Sequence, residues 1–461
     1  MHMASAALFA TLTLCAAAVT PVVAAELSIP PIQYHERTLP NGLQVISVED
    51  HTSPNVAVQM WYHVGSKDDP QQRSGFAHLF EHLMFKSTKH LQAEQFDRLT
   101  EDVGGANNAS TGDDVTNYFE VVPSNYLNTL LWAEAERLSG LTVDEDNFKS
   151  ERAVVEEEYR QSVLANPYGK LFNEIDPKSY AVHPYQRSTI GSIEDLEAAS
   201  LPDVIAFHQT FYRPDNATLI VAGDFQPKQL DAWVDQYFGW IPKPATPIPQ
   251  ITATEPVRKK DLRYTITSQT APLPAVAMTW LIPRAAESAD SIALQVAAAL
   301  LAQGESSRLY QSLVYRHQVA QQAGAEADPR VGPGLFTAYA ILATGHKPAA
   351  AEKLLKQEIV WLATQPIPAA ELEKVKTQML TSELKQRQTA QGLAFALGQA
   401  TLIGGSPQRV NSDLVALQKI TADDVHRVLQ KFVIGARSVT IDYLPQAKAS
   451  AAPAKATGAA K

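Results

Sequence analysis

Short β-rich apolar runs are interspersed along the chain with longer segments whose apolar residues recur at helical spacing. Val56–His63, Ala217–Ala222 and Ser438–Tyr443 are runs of the first kind and predict strands. Asn41-Gly42 stands between extended runs and predicts a hairpin turn. Residues 73–86, 92–103, 124–139 and 147–163 carry the helical spacing. Strands and helices do not follow one another in regular βα units. The expectation is therefore an α+β fold rather than a doubly wound parallel sheet.

The pattern is written twice. Pro54-Asn-Val-Ala-Val-Gln-Met60 resembles Pro274-Ala-Val-Ala-Met-Thr-Trp280, 220 positions later. Leu196-Glu-Ala-Ala-Ser-Leu-Pro-Asp-Val204 resembles Leu417-Gln-Lys-Ile-Thr-Ala-Asp-Asp-Val425, 221 positions later. In the second pair Ser200 and Thr421 read as helix N-caps. Phe211 and Phe432 follow at equal distances, each ahead of a β-rich run. Two anchors far apart in the chain hold nearly one offset, which points to two homologous domains. The expected organisation is a first domain over 26–241, a Pro-rich linker over 242–256, a second domain over 257–445, and an Ala/Lys-rich disordered tail over 446–461.

Residues 4–25 are apolar and Ala-rich, and Val23-Ala24-Ala25 offers the small residues of a cleavage site. This predicts a secretory signal cleaved after Ala25 and a periplasmic or secreted product. No Lys or Arg precedes Arg37, so the usual basic start of a signal is missing, and so is the Arg-rich character of a mitochondrial presequence. An uncleaved membrane anchor is the alternative. The chain has 461 residues, 45% hydrophobic and 19% charged, which is enough apolar material for real cores and excludes a largely disordered protein. Its net charge of −10 without a basic block makes nucleic acid a poor partner. The one cysteine, Cys15, lies in the apolar leader, so no internal disulfide is available.

The chemistry concentrates on two predicted helices. His78-Leu-Phe-Glu81-His82 places two imidazoles one helical turn apart, with Glu81 on the same side. Phe76, Leu79, Phe80 and Leu83 occupy the rest of the surface, so the helix should be buried and its polar groups need partners. A zinc ion would satisfy them; a hydrogen-bonded pair of core histidines is the plainer alternative. Further on, Glu151, Val154, Val155 and Glu158 share one stripe of the helix Glu151-Arg-Ala-Val-Val-Glu-Glu-Glu158. The two valines mark that stripe as inward, which brings Glu151 and Glu158 with it and leaves Glu156 and Glu157 to solvent. An exposed acidic helix laced with salt bridges is the competing reading. Two His and one Glu would leave zinc an open position, with Glu81 as general base for hydrolysis of a peptide bond.

His78-x-x-Glu81-His82 followed by Glu158 resembles the inverzincin metallopeptidases of the pitrilysin–insulinase family, in a short two-domain form like the processing peptidases. The resemblance covers nearly all of residues 30–445. It implies His78, His82 and Glu158 as ligands of one zinc per chain, Glu81 as the catalytic base and Glu151 as a supporting catalytic acid behind the ligands. Gly104-Gly105, Asn108-Ala109-Ser-Thr and Thr116-Asn-Tyr118 are similar to the family's substrate-side strand, where Asn108 and Ala109 would pair with a bound peptide. The implied fold is two α+β halves, forming half of a chamber that admits unfolded polypeptide, with two chains pairing into a dimer.

The second half departs from the first. The metal helix maps onto Ala298-Ala-Leu-Leu-Ala302, which has no ligand. Active relatives carry there an Arg and, seven residues on, a Tyr that hold substrate. An ungapped reading puts Val314 and Gln321 at those places, while Arg308 and Tyr315 have the spacing but come early. A homologous partner chain supplying the pair is the expectation; a homodimer using Arg308 and Tyr315, or no such pair, is the alternative, and a non-catalytic chamber or scaffold subunit is the alternative to a peptidase. His63, His90 and His317 lie off the metal spacing, and Trp61, Trp132 and Trp280 read as core. Arg213-Pro214-Asp215-Asn216 reads as a turn before a strand.

Overall fold

The computed structural model describes residues 29–446. The expected signal segment with Cys15, and all of the expected tail but Gln446, lie outside them. Eleven strands form two sheets among the described residues. The first half contributes β1 (His35–Thr38), β2 (Gln44–Glu49), β3 (Asn55–Tyr62), β4 (Ala106–Thr111), β5 (Thr116–Pro123) and β6 (Ala217–Gly223). The second contributes β7 (Leu262–Ser268), β8 (Ala275–Ile282), β9 (Ala320–Asp328), β10 (Gly334–Leu342) and β11 (Val439–Pro445). The spatial orders are β1-β2-β6-β3-β5-β4 and β7-β11-β8-β10-β9. Without β1, the first order maps strand for strand onto the second. Both sheets also share one parallel pair, β2 with β6 and β7 with β11, among antiparallel neighbours. The repeat seen in the sequence is thus a repeat of topology.

The local signals explain where elements begin. Asn41 and Gly42 turn the β1–β2 hairpin, with Gly42 at φ +95°, which a side chain would resist. Ser200 and Thr421 both close capping boxes, with Asp203 and Asp424 reaching back to the cap. Four helices matter for the site: α1 (Phe76–Leu83), α2 (Gln95–Glu101), α3 (Leu127–Gly140) and α4 (Glu145–Tyr159). The expected helix over 73–86 is shorter than its spacing suggests. It starts only after Gly75, whose φ of +95° is not helical.

Side chains along β3 divide by parity, as a pleated strand requires. Val56, Val58, Met60 and Tyr62 enter a core shared with Phe76, Leu79, Phe80 and Leu83 of α1. Gln59 and Trp61 point to the opposite face. There they meet the helix Ala390–Gly398, which comes from the second half: Gln59 Nε2 donates to the Gln391 carbonyl at 3.1 Å, and the Trp61 ring lies 5.5 Å from Phe395. The exchange is reciprocal. Leu171 of the first half is buried among Ala275, Ala277, Val439 and Ile441 of the second sheet, and Ser179 Oγ lies 2.7 Å from Thr279 Oγ1. From Gln33 onward the described chain forms one compact unit, so packing crosses the Pro-rich segment in both directions. No helix among the described residues is long and apolar enough to cross a membrane.

Candidate active site

α1 carries His78, Glu81 and His82 against the end of β4 and against α4. Its first turn lacks a side-chain cap of its own. Asp69 supplies one from six residues upstream, its carboxylate accepting the N–H groups of Gly75 at 2.7 Å and Ala77 at 2.9 Å. These are the orphan donors that every helix start must satisfy.

α4 delivers the carboxylates. Glu151 and Val155 are buried, and Glu158 is half-exposed, facing α1. One inference about this helix needs correction. Val154 is 46% exposed and not inward. The inward face is Phe148, Glu151 and Val155; at 100° per residue Val154 falls to its edge, clear of the core. Glu156 also differs from expectation. It is mostly covered, held by Arg160 at 3.2 Å and Arg152 at 3.8 Å, while Glu157 is exposed.

His78 Nε2 lies 3.6 Å and His82 Nε2 3.5 Å from the same atom, Glu158 Oε2. The three donor atoms all fall within 4.8 Å of one another. Tetrahedral zinc with bonds of about 2.0–2.1 Å spaces its ligands about 3.3 Å apart, so this donor set fits zinc in both chemistry and size. Burial, followed by the charge of His82, pushes His78 down to about 4, which keeps its imidazole neutral as a ligand must be. Burial also works against a charged His82, but Glu151, Glu81 and Glu158 around it hold its pKa above the ordinary value. Behind His82, Glu151 Oε2 stands 3.6 Å from Nδ1, and Lys86 Nζ lies 2.8 Å from Glu151 Oε1. Against the effect of burial, those two contacts lower the Glu151 carboxyl below its usual range.

Glu81 sits beside the triad, and Thr111 at the end of β4 donates to its Oε2 at 2.6 Å. Burial raises the Glu81 carboxyl, and the Thr111 bond offsets part of that rise. β4 is the edge of its sheet. Asn108 and Ala109 pair with Phe119 and Tyr118 on the inner side, and Asn108 Oδ1 accepts the Ala109 N–H at 2.8 Å. The structure therefore gathers His78, Glu81, His82, Glu151 and Glu158 at one place, with Asn108 and Ala109 on the adjoining strand. Sequence reasoning missed Thr111, Lys86 and Asp69. Thr111 was within reach: it shares the pleat face of Ala109, two residues on. Asp69 had no signal, because its helix begins across an intervening loop.

Two stretches match family descriptions: "Insulinase (Peptidase family M16)" over residues 44–192 and "Peptidase M16 inactive domain" over 198–379. The chain is 30% identical over 416 residues to "Zinc protease PqqE" of Helicobacter pylori, covering 88% of this chain and 92% of that one. The chain belongs to the insulinase family, peptidase family M16. Its fold superposes on the crystal structure of a protease from Helicobacter pylori with a TM-score of 0.86 and 29% identity, over 90% of this chain and 99% of that one. A further relative is "Probable mitochondrial-processing peptidase subunit beta, mitochondrial" of Arabidopsis thaliana, 23% identical over 86% of this chain and 75% of that one. Zinc proteases among such insulinase-family relatives support a peptidase-type function.

Proposed function

We propose that the protein is a zinc metalloendopeptidase hydrolysing peptides or unfolded protein segments, in the periplasm or outside the cell. The observation that carries the reading is the convergence of His78, His82 and Glu158 beside a Glu81 held by Thr111. His78, His82 and Glu158 would hold one zinc per chain, and zinc, when bound, supplies a Lewis acid that acidifies water and polarises a carbonyl. Glu81 moves the proton. Thr111 occupies Oε2, so Oε1 takes the proton of the attacking water and passes it to the leaving amine nitrogen. Glu151 keeps the His82 ring oriented, with Lys86 holding Glu151. An extended substrate adds to the free edge of β4 once the Asn108 side chain leaves the Ala109 N–H.

Substrate holding from the second half is a separate matter. Arg308 is engaged by Glu371 through two bonds of 2.8 and 2.9 Å, and Tyr315 is 69% exposed on the surface. Neither is poised as part of a substrate-binding pair. A homologous chain in a dimer supplies the Arg and Tyr in this reading. The periplasmic or secreted location rests on the apolar segment 4–25.

The test is cleavage of a quenched, unstructured peptide by the purified mature chain. Expected are zinc-dependent cleavage by the wild type, loss with a chelator, and loss in Glu81→Gln with zinc still bound. A Glu81→Gln protein as active as wild type would overturn the reading. If the zinc-loaded wild type is silent alone and active once a homologous chain is added, the partner proposal stands; full activity alone removes it.

A further inference from the structure

The turn between β4 and β5, residues 112–115, and the turn between β9 and β10, residues 329–333, are equivalent places in the repeated topology. They meet. Arg330, from the second half, lies nearly buried among three carboxylates. Nη1 is 3.0 Å from Asp113 Oδ2 in the β4–β5 turn; Nη2 donates to both oxygens of Asp176 at 3.1 Å; Nε donates to Asp328 at 2.7 Å. Its guanidinium also packs 5.1 Å from the Tyr185 ring centroid. Next to it, the Val331 N–H donates to Asp114 Oδ2 at 2.9 Å, and Tyr185 O–H donates to Asp114 Oδ1 at 2.6 Å.

The clamped turn leads to the site by two routes. One is β4 itself: Thr111, two residues before Asp113, holds Glu81. The other is the Ser66–Asp68 turn. Ser66 and Lys67 donate their N–H groups to the Gly112 and Asp113 carbonyls at 3.1 Å, and Ser66 Oγ donates to Asp113 Oδ1 at 2.9 Å. The approach is close enough that a Cβ on Gly65 would come within 2.5 Å of the Asp113 and Gly112 backbone. This turn ends at Asp69, the cap of α1. Burial raises Asp113, and raises Asp176 to about 7, against the pull of Arg330.

We propose that Arg330 is a positioning residue for peptide hydrolysis: by clamping the β4–β5 turn, the second half fixes Thr111 on Glu81 and Asp69 on α1. The proposal rests on the reading of Glu81 as general base. Arginine is needed because one planar fork must reach three carboxylates from three directions, through hydrogen bonds to Asp176 and Asp328 and an ion-pair contact to Asp113, which a lysine ammonium on its flexible stem does less well.

Peptide cleavage by Arg330→Met, Arg330→Lys, Thr111→Val and Arg330→Met/Thr111→Val tests it, in the dimer if activity needs one. Expected for Arg330→Met is a fall in kcat of about 10–100-fold with KM within about twofold. Arg330→Lys should recover part of the loss, and the double variant should be no worse than its poorer parent, because both act through Glu81. Arg263→Met, which breaks ion pairs with Glu352 and Asp442 elsewhere in the second half, should keep wild-type kcat. Hydrogen exchange gives a readout without turnover: Arg330→Met should speed exchange at the Gly75 and Ala77 amides relative to β3 and β6. Asp113→Asn, which keeps the bulk of the cluster, serves if Arg330→Met does not fold. Unchanged kcat and unchanged relative exchange, or losses that multiply in the double variant, overturn the proposal. Undiminished activity in Glu81→Gln would instead overturn the reading beneath it.

Discussion

Glu151 is a buried carboxylate that contacts both His82 and Lys86 without joining the donor triad. Removing its charge frees the His82 ring to turn. Glu151→Gln is expected to weaken zinc binding about 10–100-fold, measured by competition with a chelator. His208 gives a pH prediction. Its ring stacks on Phe80 and Tyr212, its Nε2 is buried without a hydrogen bond, and burial lowers its pKa from 6.5 to about 4. The unfolded chain takes up this proton below about pH 6.5, the folded chain only near pH 4, so the stability that neutral His208 confers is lost as pH falls between them. His208→Phe keeps the stacking and should move the acid-unfolding midpoint, followed by circular dichroism, to lower pH. At this scale the sequence was informative where one periodicity governed the outcome. Helix phase separated Glu151 and Glu158 from Glu157. It failed for Val154, which lies where the stripe meets solvent; Thr111 was marked only by the parity of its strand, and its role depends on a contact between two elements.

α1 is only eight residues long, too short to persist alone, and is held by what surrounds it. Its start depends on Asp69 and its flank on the β3 core, neither visible in the histidine motif. The helix Ala390–Gly398 is similarly dependent. It approaches β3 so closely that a Cβ on Gly398 would stand 2.2 Å from Trp61 Cε2. Gly398→Ala is therefore expected to destabilise the fold by about 1–3 kcal/mol despite the better helix propensity of alanine, seen as a lower Tm. Element types and caps were legible because strand parity, the Asn41-Gly42 turn and the Ser200 and Thr421 boxes are local. Element ends were less so: Gly75 and the π-helical turn Arg160–Ala165 after α4 are set by neighbours.

At the scale of the molecule, the repeat was legible as an offset and appears as two sheets of one topology. The crossing of helices between the halves was not, because an apolar helix does not announce which sheet it covers. Each sheet carries one face finished by the other half. A chain cut at residue 241 would leave Ala57 and Trp61 facing water. It is expected to show no cooperative thermal transition and to bind a dye for exposed apolar surface, whereas co-expression with residues 242–461 should restore both properties. The crossing also sets a timetable. A ribosome delivers the N-terminal half first, yet the back of β3 must wait for residue 398 before it is closed. Throughout most of synthesis the chain is unable to finish even the sheet on which the helix of His78, Glu81 and His82 packs, so the candidate site and the last quarter of the polypeptide mature together.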